Sequence, residues 1–356
     1  MDIVSLIPSP DAIPVHWLWL QLPLTVTTFL HLVAMNVVLG LACIGLSIAV
    51  KGDAGQFPLR DSIARTFPFT IAFAINFGVA PLLFVQALYG QFFYTSSILM
   101  GSYWLAIVPL LMVSYVAAYI AYFSNDGYGR GPLFIGIAAG ALLVIAFLFS
   151  NNISLMQMPI SWGRYFDDRN GWLLNIADPS LVPRYLHFVA SGLAMGGLAI
   201  AVFFEIRQRR GDTGGGSWIR YGCQWFSLAT IVNFGIGVWF FGSLPLATHD
   251  PSTLIGSMFL LLLAGSVVTT IKALVNAQSY RVAPTVAWAL ATVFLMTLDR
   301  DLLRIATLKP YFRLGDLPVA SQYSPLALFL LVLVGAGLLI RWMLLTVWRR
   351  DKEVRS

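Results

Sequence analysis

The chain has 356 residues, of which 58% are hydrophobic and 11% charged, against roughly 25% charged in soluble domains. Soluble domains of this length do not carry repeated apolar runs of about 20 residues, the length that crosses a hydrocarbon layer roughly 30 Å thick. The formal charge of +6 is spread among loops, which excludes a nucleic-acid-binding face and reads as membrane orientation.

Nine spans follow in order, at about 17–49, 64–90, 102–123, 132–150, 182–205, 218–244, 253–275, 283–303 and 324–347. Membrane strands need only about 10 residues and alternate in polarity. An all-helical chain is therefore expected, because helices satisfy every backbone group within lipid. The start lacks the basic region and small-residue cleavage site of a signal peptide, so the first helix is expected to be retained. Cys43 and Cys223 sit in or beside apolar segments, and no CxxC or CxxCH occurs. Disulfide frameworks, zinc knuckles and covalently attached c-type haem have no support.

Of the 22 Lys and Arg residues, 15 fall on one side, including Lys51, Arg60, Arg130, Arg207, Arg341 and the tail Arg349, Arg350, Lys352 and Arg355. The other side has 7: Arg164, Arg169, Arg184, Arg300, Arg304, Lys309 and Arg313. The positive-inside rule puts the N-terminus outside and the C-terminus in the cytoplasm of a bacterial or archaeal cytoplasmic membrane. Asp212-Thr213-Gly214-Gly215-Gly216-Ser217 reads as a flexible cytoplasmic turn.

An internal duplication shows in the spacing. His31 and His187 are 156 residues apart, as are Gly40 and Gly196, and Asn76-Phe77-Gly78 is answered 157 residues on by Asn233-Phe234-Gly235. Four spans per half give two parallel repeats related by an axis along the membrane normal. The expected architecture is a first four-helix bundle (1–150), an extracytoplasmic connection (151–181), a second bundle (182–306), and a loop, ninth helix and cytoplasmic tail (307–356).

Histidine inside a bilayer is a functional-site hypothesis by default, and neutral imidazole is a good iron ligand. His187 lies less than two turns into span five, with Arg184 three residues earlier on the same face. A haem there would turn its propionates toward that arginine; the alternative is a histidine that only bonds a neighbouring helix. Met258, at comparable depth in span seven, is the candidate second ligand, against a packing role. His31 lies deeper, with Met296 as a conceivable partner. Asn76 and Asn233 read as interhelical glue. Asp299-Arg300-Asp301-Leu302-Leu303-Arg304 reads either as a propionate partner through Arg300 and Arg304 or as a solvated helix end.

These segments resemble subunit I of the cytochrome bd quinol oxidases. His31 followed by Leu39-Gly40-Leu41-Ala42 is similar to the family's histidine and Leu-Gly-x-Ala step. Ile75-Asn76-Phe77-Gly78 running into Gln86-Ala87-Leu88-Tyr89-Gly90 resembles its Ile-Asn-Phe and Glu-Phe-Gln-Phe-Gly segments, and His187-Phe188-Val189-Ala190-Ser191-Gly192 the stretch with the low-spin haem histidine. The resemblance implies haem b, at one or two sites: His187 with Met258 in one and His31 in the other. The departures are specific. The span-two glutamate is Gln86, the paired span-three glutamates fall near Val108 and Val116, and the Glu-x-Gly-Arg-Gln-Pro motif survives only as Thr297 to Arg300. The quinol loop is reduced to Ser243–Ser252. What remains implied is a haem b cytochrome exchanging electrons with a periplasmic cytochrome c or another redox subunit, beside other membrane subunits. The alternatives are a cytochrome c-linked terminal oxidase subunit and a haem-poor structural subunit.

Overall fold

The computed structural model describes residues 3–52, 54–124, 131–167, 169–211 and 214–355. Arg130 and Asp212-Thr213, used above for orientation and for the cytoplasmic turn, lie outside the described residues, as do the side chains of Arg349, Arg350, Lys352 and Arg355. Among the described residues nine helices are long and apolar enough to cross a membrane. They are α1 (Leu18–Lys51), α2 (Phe57–Leu99), α3 (Gly101–Phe123), α4 (Gly131–Gln157), α5 (Leu181–Arg209), α6 (Gly216–Ser243), α7 (Leu254–Gln278), α8 (Val282–Leu308) and α9 (Tyr323–Arg355). The chain is an all-α polytopic membrane protein.

Helices α1 to α4 pack on one another, α5 to α8 do the same, and the two groups meet where α1 lies against α5 and α8, and α4 against α5. The seam is built on glycine. A Cβ on Gly196 would lie 2.5 Å from the carbonyl carbon of Gly40, and a Cβ on Gly40 would strike the Gly192 carbonyl oxygen. Lipid tails are as apolar as side chains, so membrane helices associate by close backbone approach, which small residues permit. Gly40 and Gly196 are partners under the 156-residue shift, and they touch each other. Contact between equivalent residues is what a two-fold axis relating the two halves would produce.

Several helices outrun their predicted spans, and two show why. Helix α2 has 43 residues, about 64 Å at 1.5 Å per residue, and bends at Tyr89, whose φ of −134° and ψ of 28° are non-helical. Its polar continuation stays helical because Thr95, Ser96 and Ser97 return their hydroxyls to the carbonyls of Gln91, Phe93 and Phe93 at 2.8, 2.9 and 2.8 Å. Helix α4 runs past residue 150 to Gln157 because Asn151, Asn152 and Ser154, polar enough to end a span on paper, are buried and hydrogen-bonded.

One end of the molecule carries the 151–181 connection. There a 3-10 turn, Pro159–Phe166, places Trp162 on the first group of helices, where it packs with Phe92. On the same end the segment before α1 pairs with the segment before α9: the Ile13 N–H donates to Pro318 O at 2.8 Å, and the Ala320 N–H to Ile13 O at 2.9 Å. Helix α9 then departs, and none of its membrane-length window is buried.

Candidate functional site

A cavity of about 410 Å³ lies among α5, α6, α7 and α8 and reaches to α1 and α4. That is within the range of roughly 300–1,000 Å³ typical of small-molecule and cofactor sites. Its walls are mostly apolar, with Phe234 and Phe240 from α6, Leu263 and Val267 from α7, and Val293 and Met296 from α8. Among the polar groups that face it, Asn36, Arg184, His187, Asn233 and Asp299 each carry a buried polar atom without a partner at hydrogen-bond distance.

His187 stands on the α5 wall. Its ring stacks near Phe240, centroids 6.2 Å apart, and a Cβ on Gly237 would come no closer than 3.7 Å, so the ring has room. The Nδ1 atom is buried without a hydrogen-bond partner. The adjacent Asn233 amide gives its N–H to Ser191 Oγ at 2.9 Å instead, leaving its own Oδ1 unbonded. Buried polar atoms are nearly always satisfied; these two belong to neighbouring side chains, and Asn233 is placed to hydrogen-bond the imidazole and orient it on the cavity wall.

Arg184, 6% exposed, lines the same cavity one turn toward the 151–181 end. Its guanidinium lies 5.5 Å from the centre of the Phe240 ring. One nitrogen donates to Ser180 Oγ at 3.2 Å, while Nε and the other terminal nitrogen have no partner. Ser180 in turn donates through Oγ to Asp178 Oδ2 at 2.9 Å and through its N–H to Oδ1 at 2.8 Å. Asp178 also accepts from Ser154 Oγ at 2.5 Å, and Ser154 accepts from the Asn175 amide at 2.8 Å. A buried polar chain thus ties α4, the connection and the start of α5 together and holds one edge of the guanidinium. The other edge has no partner.

The charged cluster ending α8 divides between two faces. Asp299 and Arg300 line the cavity; Asp299 is 5% exposed, with neither carboxylate oxygen partnered. Asp301 and Arg304 are on the side of α1 and pair with each other. Asp301 also accepts from Thr25 Oγ1 at 2.5 Å and Gln21 Nε2 at 3.1 Å, and Arg304 lies over the Tyr89 ring at 4.7 Å. Arg304 is thereby committed to an ion pair that stitches α8 to α1 and to the bend in α2. The stretch is not a solvated helix end.

Of the residues singled out from sequence, the cavity gathers His187, Arg184 and Arg300, but not Met258, His31 or Arg304. Met258 is 44% exposed; Met296, one of two methionines on the wall, lies on α8. His31 is in the other bundle, its Nδ1 3.1 Å from Ala74 O. Its ring fills the space above Gly78, where a Cβ would come within 2.9 Å. The two related asparagines differ: Asn233 bridges α6 to α5, whereas Asn76 is exposed and returns its amide to Ala72 O of its own helix at 2.8 Å. Sequence reasoning passed over Asn36, Asp178 and the lone exposure of Asp299 to the cavity. A polar residue five positions after His31 on an apolar helix was the available signal for Asn36. Nothing local marked the other two. In the short connection between α6 and α7, the Ser252 hydroxyl and N–H donate to Asp250 at 2.7 and 2.8 Å and hold its carboxyl below the ordinary range.

Among the described residues no three His, Cys, Asp or Glu side chains cluster as ligands for a bare metal ion. The groups do fit a flat, largely apolar macrocycle with anionic edges: apolar walls, an imidazole beside Asn233, and arginines at one end. No family model matches the chain, and no curated protein matches it either. Among solved structures, a chain of the bd oxidase from Geobacillus thermodenitrificans superposes with a TM-score of 0.62, covering 91% of this chain and 97% of that one at 13% identity. The fold is bd-oxidase-like. Because identity is so low, that likeness establishes the arrangement of helices and leaves the chemistry to the residues of the cavity.

Proposed function

We propose that the protein is a haem b membrane cytochrome that exchanges electrons with a redox partner at the outer face of a bacterial or archaeal cytoplasmic membrane, its N-terminus outside and its C-terminus in the cytoplasm. The observation that carries this reading is His187, a buried imidazole beside Asn233 on an apolar cavity wall, one helical turn from a guanidinium with two unbonded nitrogens. Haem b would supply a one-electron iron centre. His187 would hold the iron, and Arg184 with Arg300 would take the propionates. Arg304, proposed from sequence for the same task, contributes by fixing α8 through Asp301. A thioether would complete the low-spin site, from Met258 or from Met296 on the wall; separate Leu substitutions assign it. His31 is the candidate for a second haem. Its Nδ1 against a backbone carbonyl is the outer-shell bond that orients ligating histidines and leaves Nε2 free.

The partner is a periplasmic cytochrome c or another redox subunit, and oxygen reduction ranks below simple electron transfer because the acids of that chemistry are replaced by Gln86 and Thr297. A pyridine haemochrome assay with a reduced-minus-oxidised spectrum tests the reading. His187→Ala is expected to abolish the low-spin signal, and an unchanged spectrum would sink the assignment. A second reading, a haem-poor structural subunit of a larger membrane complex, draws on α9, whose membrane-length window, Tyr323–Thr346, is apolar and has none of its residues buried. Absence of Soret and alpha bands from the wild-type protein would establish it.

A further inference from the structure

We infer that Asp299 is the proton-carrying carboxyl of the cavity, taking up a proton when an electron arrives and releasing it when the electron leaves. The inference rests on the proposed electron-transfer function and on the following geometry. Asp299 is more than nine-tenths buried, lines the cavity that His187 lines, and has no hydrogen-bond partner on either oxygen. Its neighbour two residues on, Asp301, shows how this chain treats a carboxylate that is only structural: it is surrounded by Arg304, Thr25 and Gln21. Asp299 is given nothing comparable, although an unpaired buried carboxylate is destabilising. A carboxyl left in that condition is neutral when protonated and becomes affordable as an anion only when the charge beside it turns more positive.

The charged and titratable groups facing the cavity are Arg184 and His187 from α5 and Asp299 and Arg300 from α8. Helices α1, α4, α6 and α7 line it with neutral side chains, among them Asn36, Gln157 and Asn233. The arginines keep their charge throughout and His187 is committed to ligation, so Asp299 is the one group on the wall free to change state. An electron added to an apolar cavity interacts strongly with any charge there, because the low dielectric leaves it unscreened. With one electron entering from a one-electron donor, one proton from water bonds to a carboxylate oxygen of Asp299. With the electron leaving, the O–H bond breaks and the proton returns to water. The net charge of the cavity is the same before and after.

The test is a potentiometric titration of the purified full chain across a series of pH values, in wild type, Asp299→Asn and Asp299→Glu, with haem content measured in each. The wild-type midpoint is expected to fall as pH rises, by up to about 59 mV per unit, the equivalent of a tenfold change for one electron. Asp299→Asn is expected to keep its spectrum and lose that slope, and Asp299→Glu to keep it. Equal slopes in wild type and Asp299→Asn, with haem present in both, would overturn the proton role and leave the cytochrome reading intact. Wild-type protein without haem would overturn both. Infrared difference spectra against pH give an independent readout: a carboxylic C=O band is expected in wild type and absent from Asp299→Asn. A wild type with no such Asp299-dependent band at any pH would refute the assignment.

Discussion

The contact between Gly40 and Gly196 can be tested against a glycine of the same helix type that faces open space. A Cβ on Gly196 would stand 2.5 Å from the Gly40 carbonyl carbon, 2.6 Å from its Cα and 2.8 Å from the Leu41 nitrogen. All three are backbone atoms, so no rotamer change relieves the clash; ordinary contact at 3.4 Å requires the two helices to part by about 0.9 Å. Gly140, in the interior of α4, has nothing within 4 Å of its own Cβ position. Alanine gains about 1 kcal/mol of helix propensity at either place, so that gain cancels in the comparison. What remains is the overpacking term, about 1–3 kcal/mol. Gly140→Ala is therefore expected to be neutral or stabilised by up to about 1 kcal/mol. Gly196→Ala should be about 1–3 kcal/mol less stable than Gly140→Ala in equilibrium unfolding with a denaturing detergent. Two variants that unfold within about 0.5 kcal/mol of one another would show that the seam between α1 and α5 is not held by close backbone approach.

The ion pair between α8 and α1 should behave as a buried cluster. Asp301→Asn strands Arg304 and is expected to destabilise by about 3–5 kcal/mol, whereas Asp301→Leu with Arg304→Leu should recover most of that loss; a double variant worse than the single one would contradict the account. Asp178→Asn weakens charge-assisted bonds from Ser154 and Ser180 and should lower stability by about 1.5–3 kcal/mol. It should also loosen Arg184 at the cavity edge, and an unfolding curve identical to wild type would remove Asp178 from the positioning of that arginine.

How far the site was legible from residues follows from what kind of information each feature carries. His187 and Arg184 are three residues apart on one helix, so helical periodicity places them on one face without knowledge of any neighbour. Met258 was matched to His187 by depth alone. Depth along a helix is readable from sequence, but rotation about its axis is set by packing, and α7 turns Met258 partly to the outside while α8 presents Met296 to the cavity. The α8 cluster shows the same limit: Asp299 and Asp301 are two residues apart, about 200° around a helix, and only the position of α1 decides which of them is paired.

The nine spans and the helical class were determined by the sequence itself. Length and apolarity are local properties that lipid enforces on every segment alone. The meeting of Gly40 with Gly196, the pairing of Asp301 and the solitude of Asp299 were decided only by tertiary structure. So was the cavity that gathers His187, Arg184 and Arg300, because each depends on which faces of separate helices come together, and that is a property of the packed bundle and of no single stretch.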